Sequence, residues 1–168
     1  MISENTHPDF IGIEQLVVQH HGQIDVFVAW SLESNWPRFH ASHYDWWTFP
    51  IDKPSSYAFQ YTVFEKEINQ LKGVEGFLDK HASGAELLLS SWGWDASNNQ
   101  PIESPQSGQS WANWPIRLAK CSRSMWLFGL EQQWESAAAY AQLLKKENQS
   151  FYYSGRDLFD EIISPWNF

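Results

Sequence analysis

An all-α domain is the expectation for this chain, with six to eight helices around a Trp-rich core. Three observations lead there. Apolar residues recur at three- and four-residue steps through most of the sequence. Helix-stopping Gly and helix-starting Pro punctuate those stripes. Eleven Trp, eleven Phe and six Tyr make up 17% of 168 residues, and each such ring can bury about 150–250 Å². A chain of this length fits one domain and buries roughly 70% of its unfolded surface, enough for a self-sufficient core.

Phe10, Ile13, Val17 and His20 open the first stripe, and Gly22 offers it a stop. Ile24 to Leu32 reads two ways. Ile24, Val26, Val28 and Trp30 alternate like a strand, while Ile24, Phe27, Val28 and Ser31 fit a helix. Helix is preferred, because no neighbouring segment offers a strand partner. Pro37 is expected to end that element.

After the aromatic segment 39–50, Ser55 or Ser56 can cap a helix whose stripe is Tyr57, Tyr61, Phe64, Ile68 and Leu71. Gly73 and Gly76 bend or break its continuation. Ser83-Gly-Ala-Glu86 then reads as a capping box ahead of Ala85, Leu88, Leu89 and Trp92.

Residues 95–113 form the longest polar interval, with Pro101, Pro105 and Gly108. Loops of this length are uncommon in compact domains and are often functional. Asn113 with Pro115 marks the next helix start. Leu118, Cys121, Ser122, Met125 and Phe128 form its core face, and Gly129 stops it. Leu130, Trp134, Ala137, Ala138, Ala141 and Leu144 continue as another helix, with Lys145 and Lys146 favouring its C-terminal dipole. Ser154-Gly-Arg-Asp157 can cap a last short helix through Ile163, and the aromatic end Pro165–Phe168 is expected to dock. No internal repeat or sustained heptad seam is found.

The formal charge is −9, with eleven acids against five bases in residues 1–84 and nine against six in residues 85–168. Neither half is a basic module, which argues against nucleic acid and anionic membranes as partners. Cys121 is alone, so no intramolecular disulfide forms. The start lacks a basic and apolar leader, and no apolar run approaches membrane-spanning length. The cytoplasm is the expected compartment.

The stretch Arg38–Pro50 carries Phe39, His40, His43, Tyr44, Trp46, Trp47 and Phe49 within thirteen residues. Adjacent Trp46 and Trp47 point in different directions on any regular element. One is therefore expected deep in the core and the other at a surface or pocket. His40 and His43 would share a helical face, and imidazole is a common ligand for zinc or iron. They lack a third ligand at usable spacing, so no metal and no cofactor is expected. The alternatives are hydrogen bonding around a buried turn, or acid–base chemistry by His43 with Asp45.

Arg117, Lys120 and Arg123 recur every three residues just after Trp111 and Trp114. They read as a solvated stripe facing away from Leu118, Cys121 and Met125, or as a dock for a phosphate or acidic segment. Cys121 lies on the apolar face, where a thiol is inert. Trp92-Gly-Trp94 reads as a core anchor before a stacking surface. Nucleotide-binding glycine loops, a nucleophile elbow and paired zinc-ligand motifs do not occur.

The nine residues Ser42-His-Tyr-Asp-Trp-Trp-Thr-Phe-Pro50 resemble the Ser-His-Trp-Met-Trp-Phe-x-Phe-Pro signature of a small helical bacterial family of unknown function, whose members are sometimes mislabelled calpastatin. Ser42, His43, Trp46, Phe49 and Pro50 match, Tyr44 and Trp47 are aromatic substitutes, and Asp45 and Thr48 stand where that family has apolar residues. The resemblance implies a helical fold and adds no activity.

The leading expectation is a binding or interaction module for an unidentified protein or small molecule. It would use His40, Tyr44, Trp46, Trp47, Trp111, Trp114, Arg117, Lys120 and Arg123, with the 95–113 loop as a roof. A bacterial immunity or regulatory role also suits the acidic composition, by analogy alone. The alternative is a small hydrolase or transferase using His43 and Asp45.

Overall fold

The computed structural model describes residues 2–112, 115–149 and 152–168. Its framework is helical, as the apolar periodicity requires. The first helix, α1 (Ile13–Leu32), buries Leu16, His20, Ile24 and Phe27, while Val26 and Val28 lie exposed. The helical spacing therefore decides the ambiguous segment. Gly22 does not stop α1; a single glycine costs roughly 1 kcal/mol, which a buried stripe on both sides outweighs.

Helix α1 ends just ahead of Ser34, which takes a left-handed conformation. Pro37 starts the next element instead of ending the last. It occupies the first turn of α2 (Trp36–Ala41), where a missing N–H costs nothing. A single turn, α3 (Asp45–Thr48), follows.

The stripe from Tyr57 to Leu71 is only half helical, since α4 spans Glu65–Lys72. Ahead of it the chain turns, with Ala58 left-handed and Ser55 paired to Ala58. Side chains of the N-terminal segment hold those turns: Asn5 Nδ2 donates to the carbonyls of Phe59 and Thr62, and Phe59 N–H donates to Asp9. Glu67 fixes the helix start by accepting the N–H groups of Phe64 and Asn5. Ser55 accordingly caps a turn at Tyr57 and not a helix.

Gly73 and Gly76 do break the helix, and α5 (Phe77–Ser91) begins after them. The Ser83–Glu86 segment lies inside α5, so it caps nothing. Gly84 is there for proximity. A Cβ at that position would come within 2.5 Å of Ile24 Cδ1 across the α1–α5 contact.

A hairpin of β1 (Trp94–Asp95) and β2 (Gln100–Pro101) opens the long polar loop. Two helices follow, α6 (Ile116–Leu127) and α7 (Glu131–Lys146), joined at left-handed Gly129. A second hairpin, β3 (Tyr152–Tyr153) with β4 (Arg156–Asp157), leads into α8 (Phe159–Ile163) and a final 3-10 turn. The expected Ser154–Asp157 cap is thus mostly hairpin, although Asp157 accepts Phe159 N–H.

Two adjoining cores result. The larger joins α1, α2, α5, α6, α7 and α8, and includes Trp36, Trp92 and Trp94. The smaller gathers Leu16, Tyr61, Val63, Ile68, Leu71, Phe77 and Phe128. Trp92 and Trp94 serve as core anchors, with Gly93 left-handed between them. No described helix is long and apolar enough to cross a membrane.

Candidate functional site

Helix α6 is the centre of the molecule, packed by α3, α5, α7 and α8. Its residues from Arg117 to Met125 are all buried, on every face. The three cations therefore do not form a solvated stripe. Each is matched internally, because a buried charge must be hydrogen-bonded to persist. Arg123 donates from Nε and Nη2 to the two oxygens of Asp52 at 2.7 and 2.9 Å, and from Nη1 to the Pro165 carbonyl. Lys120 Nζ lies 2.7 Å from Asp45 Oδ2 and 5.2 Å from the Trp46 ring centroid. Arg117 donates to the carbonyls of Phe39 and Ser42 and, at 3.2 Å, to the Tyr44 hydroxyl. The sequence signal for this was present but indirect: acids and carbonyls of segment 38–54 are what α6 needs.

These ties stretch the aromatic segment across α6. Tyr44 is fully buried, and burial pushes its phenol pKa well up, so it stays a neutral donor to Phe39 O at 2.7 Å. Trp46 and Trp47 do not divide into one deep and one exposed ring. Both are half-buried, because a one-turn helix offers each a partial partner. Trp46 meets Tyr57 edge-on at 4.9 Å. Trp47 lies against both cores and donates from Nε1 to Gln23 at 3.3 Å.

Where the segment faces the C-terminal hairpin, a cavity of about 360 Å³ opens. One wall is His43, Asp45 and Trp46, followed by Ile51 and residues 53–56. The floor is Ile116, Arg117 and Lys120. The far wall is Tyr153, Ser154, Arg156 and Phe168. Five of the eleven sequence candidates thus converge here: His43, Asp45, Trp46, Arg117 and Lys120. Lys53, Ser55, Ser56, Tyr153 and Arg156 were not anticipated. No local pattern links residues 53–56 with residues a hundred positions later.

The other candidates go elsewhere. Helix α2 ends at Ala41, so His40 and His43 share no helical face. His40 Nε2 sits 3.0 Å from Ser91 O and 2.8 Å from Gly108 O, and burial lowers its pKa. Trp111 packs on Trp92 at 4.9 Å between centroids and near Tyr140. Trp114 lies outside the described residues. Over its described residues, up to 112, the polar loop covers α2 and does not line the cavity: Gln106 accepts Trp36 Nε1–H, and Gly108 packs against Pro37. Among the described residues, no group of three or more His, Cys, Asp or Glu is placed to hold a metal. Cys121 is buried, and burial pushes its thiol pKa far up, as its apolar face implies.

A second polar feature was missed by the sequence. His20 Nε2 lies 2.9 Å from His81 Nδ1, His81 Nε2 lies 2.9 Å from Ser124 Oγ, and Ser124 Oγ donates to Pro50 O at 2.8 Å. The last bond fixes the rest. With its proton on Pro50 O, Ser124 accepts from His81 Nε2–H, so His81 Nδ1 is bare and accepts from His20 Nε2–H. That leaves His20 Nδ1 bare, a buried atom with no hydrogen-bond partner among the described residues. Burial, mainly, lowers the pKa of His20 to about 2 and that of His81 to about 3. The chain ties α1, α5 and α6 to the segment carrying the cavity wall.

No family model matches the chain, and no curated protein or solved structure is similar enough to match it.

Proposed function

We propose that this protein is a binding module whose ligand is a small molecule seated in the cavity between Trp46 and the C-terminal hairpin. The observation that carries the reading is convergence. Three stretches distant in sequence meet around one cavity, each with charged groups and the first and last with aromatic rings as well. Its volume is at the low end of ligand pockets, which run from about 300 to 1,000 Å³. A buried ion pair and a buried guanidinium hold the wall in advance, so little ordering accompanies binding. The resemblance over Ser42–Pro50 contributes a helical fold to this reading and no activity.

The enzyme alternative keeps one supporting observation, since His43 and Asp45 both border the cavity. Binding is preferred because Asp45 Oδ2 is already held by Lys120 at 2.7 Å, which leaves that oxygen poorly suited to carrying protons.

A thermal-shift screen of small metabolites tests the reading. Compounds that raise the melting temperature of the wild type should fail to do so for Ser56→Trp, whose indole would fill the cavity from its exposed rim. Equal stabilisation of both proteins would put binding elsewhere. Turnover of a stabilising compound, lost in His43→Ala at unchanged melting temperature, would move the assignment to the enzyme class.

A further inference from the structure

The charges around the cavity are sorted against the composition of the chain. Four of its eleven basic residues border the cavity, namely Lys53, Arg117, Lys120 and Arg156, with only one of its twenty acids, Asp45. Fifteen lining residues drawn evenly from the sequence would bring about one base and about two acids. In a chain of net charge −9, this is a local reversal of sign.

Arg117 adds an independent observation. It is 1% exposed, yet its hydrogen bonds among the described residues reach only neutral oxygens, on Phe39, Ser42 and Tyr44. Among the same residues it forms no ion pair, and Asp45, next in sequence to its partner Tyr44, is taken by Lys120. A desolvated cation without a counter-charge is an expensive arrangement. Beside an open cavity it attracts an entering anion more strongly than it would in water. Lys53 at the rim is exposed and makes no ion pair among the described residues. Arg156 is held only loosely by Glu161, at 3.8 Å, and lies over the Phe168 ring. Lys120 cancels Asp45, so the positive excess comes from the other three.

The apolar part of the lining is aromatic. Trp46, Tyr153 and Phe168 stand around the same space. Flat rings favour a flat partner, by offset or edge-on contact.

We infer that the cavity takes a small planar organic anion, with a carboxylate or phosphate turned toward Arg117 and Lys53 and a ring between Trp46 and Phe168. The inference rests on the cavity being a ligand site, as proposed above. Arg117 contributes mainly through its field, since three of its five guanidinium hydrogens are committed to Phe39, Ser42 and Tyr44. Lys53 and Arg156 make the direct contacts, and an oxyanion gains charge-assisted bonds from both.

Matched probes test it by NMR, read at the Trp46 indole and the Lys53 and Tyr153 amides, with the buried Trp94 indole as control. The probes are 4-methylbenzoate, its neutral amide, phenyl phosphate, inorganic phosphate and benzylamine. The two aromatic anions should bind at least about tenfold more tightly than the amide, a difference of about 1.4 kcal/mol. Their affinity should fall as salt rises. The exposed-rim variant Lys53→Gln/Arg156→Gln should lose about tenfold for anions and little for the amide. Comparing phenyl phosphate with 4-methylbenzoate identifies the preferred head group, and weak binding of inorganic phosphate supports the need for a ring. Equal binding of acid and amide would overturn the anion inference while leaving the cavity a ligand site. Shifts at the cavity residues from no probe of any charge would overturn both.

Discussion

Lys120 Nζ lies 2.7 Å from Asp45 Oδ2, with the lysine 8% and the aspartate 4% exposed. The pair binds the one-turn helix α3 to the central helix α6, and so holds the Trp46 side of the cavity. Removing one member of a buried pair strands the other charge. Asp45→Asn should therefore cost about 3–5 kcal/mol. The double variant Asp45→Leu/Lys120→Met should recover most of that loss, since apolar replacement of a buried pair is often neutral. Urea unfolding of the three proteins measures both effects. A loss below about 1 kcal/mol for Asp45→Asn would mean the pair is effectively solvated.

Acid should destabilise the protein through His20 and His81. Both are neutral in the fold, with pKa values lowered to about 2 and about 3, while the unfolded chain titrates near 6.5. As pH falls below about 6.5 the unfolded state binds protons that the folded state refuses, so stability is lost across the window down to about 3. Each histidine contributes about 1.4 kcal/mol per pH unit there. At about pH 4.5 the two together should remove on the order of 5 kcal/mol relative to neutral pH. Unfolding curves at the two pH values read this directly. A His20→Leu variant should lose about half the slope, and an unchanged slope would remove His20 from the explanation.

Two glycines should respond with opposite sign. Gly22 lies mid-helix, and a Cβ added there would meet nothing within 4 Å, so Gly22→Ala should stabilise by about 0.5–1 kcal/mol, or about 1–4 °C in Tm. Gly84 faces Ile24, whose Cδ1 would lie 2.5 Å from such a Cβ, so Gly84→Ala should destabilise by about 1–3 kcal/mol. Scanning calorimetry checks both. Stabilisation by Gly84→Ala would mean that α1 and α5 can part without cost.

These same residues mark how far the sequence could be read. Helix existence was legible because burial follows the 3.6-residue period, as Leu16, His20, Ile24 and Phe27 illustrate. Boundaries were less so. Gly22 was outweighed by burial on both sides, and Tyr57 and Tyr61 kept a helical spacing while Asn5 and Asp9 bound the backbone of that segment in turns. Reading Arg117, Lys120 and Arg123 as solvated assumed that charge seeks water. On α6 the neighbouring helices and the 38–54 segment occupy that side, and Asp45 and Asp52 meet the charge instead. The aromatic segment was visible as a focus. Its far wall was not, since Tyr153 and Arg156 reach it only through the path of the chain.

A small planar anion is the ligand proposed for the cavity beside Trp46. Crystals of the protein soaked in 4-bromobenzoate test it most directly, because bromine is located by its anomalous scattering. The expected result is one bromine peak between Trp46 and Phe168, with the carboxylate facing Lys53 and Arg117. An empty cavity at a concentration that saturates the NMR titration, or bromine only at other surfaces, would contradict it.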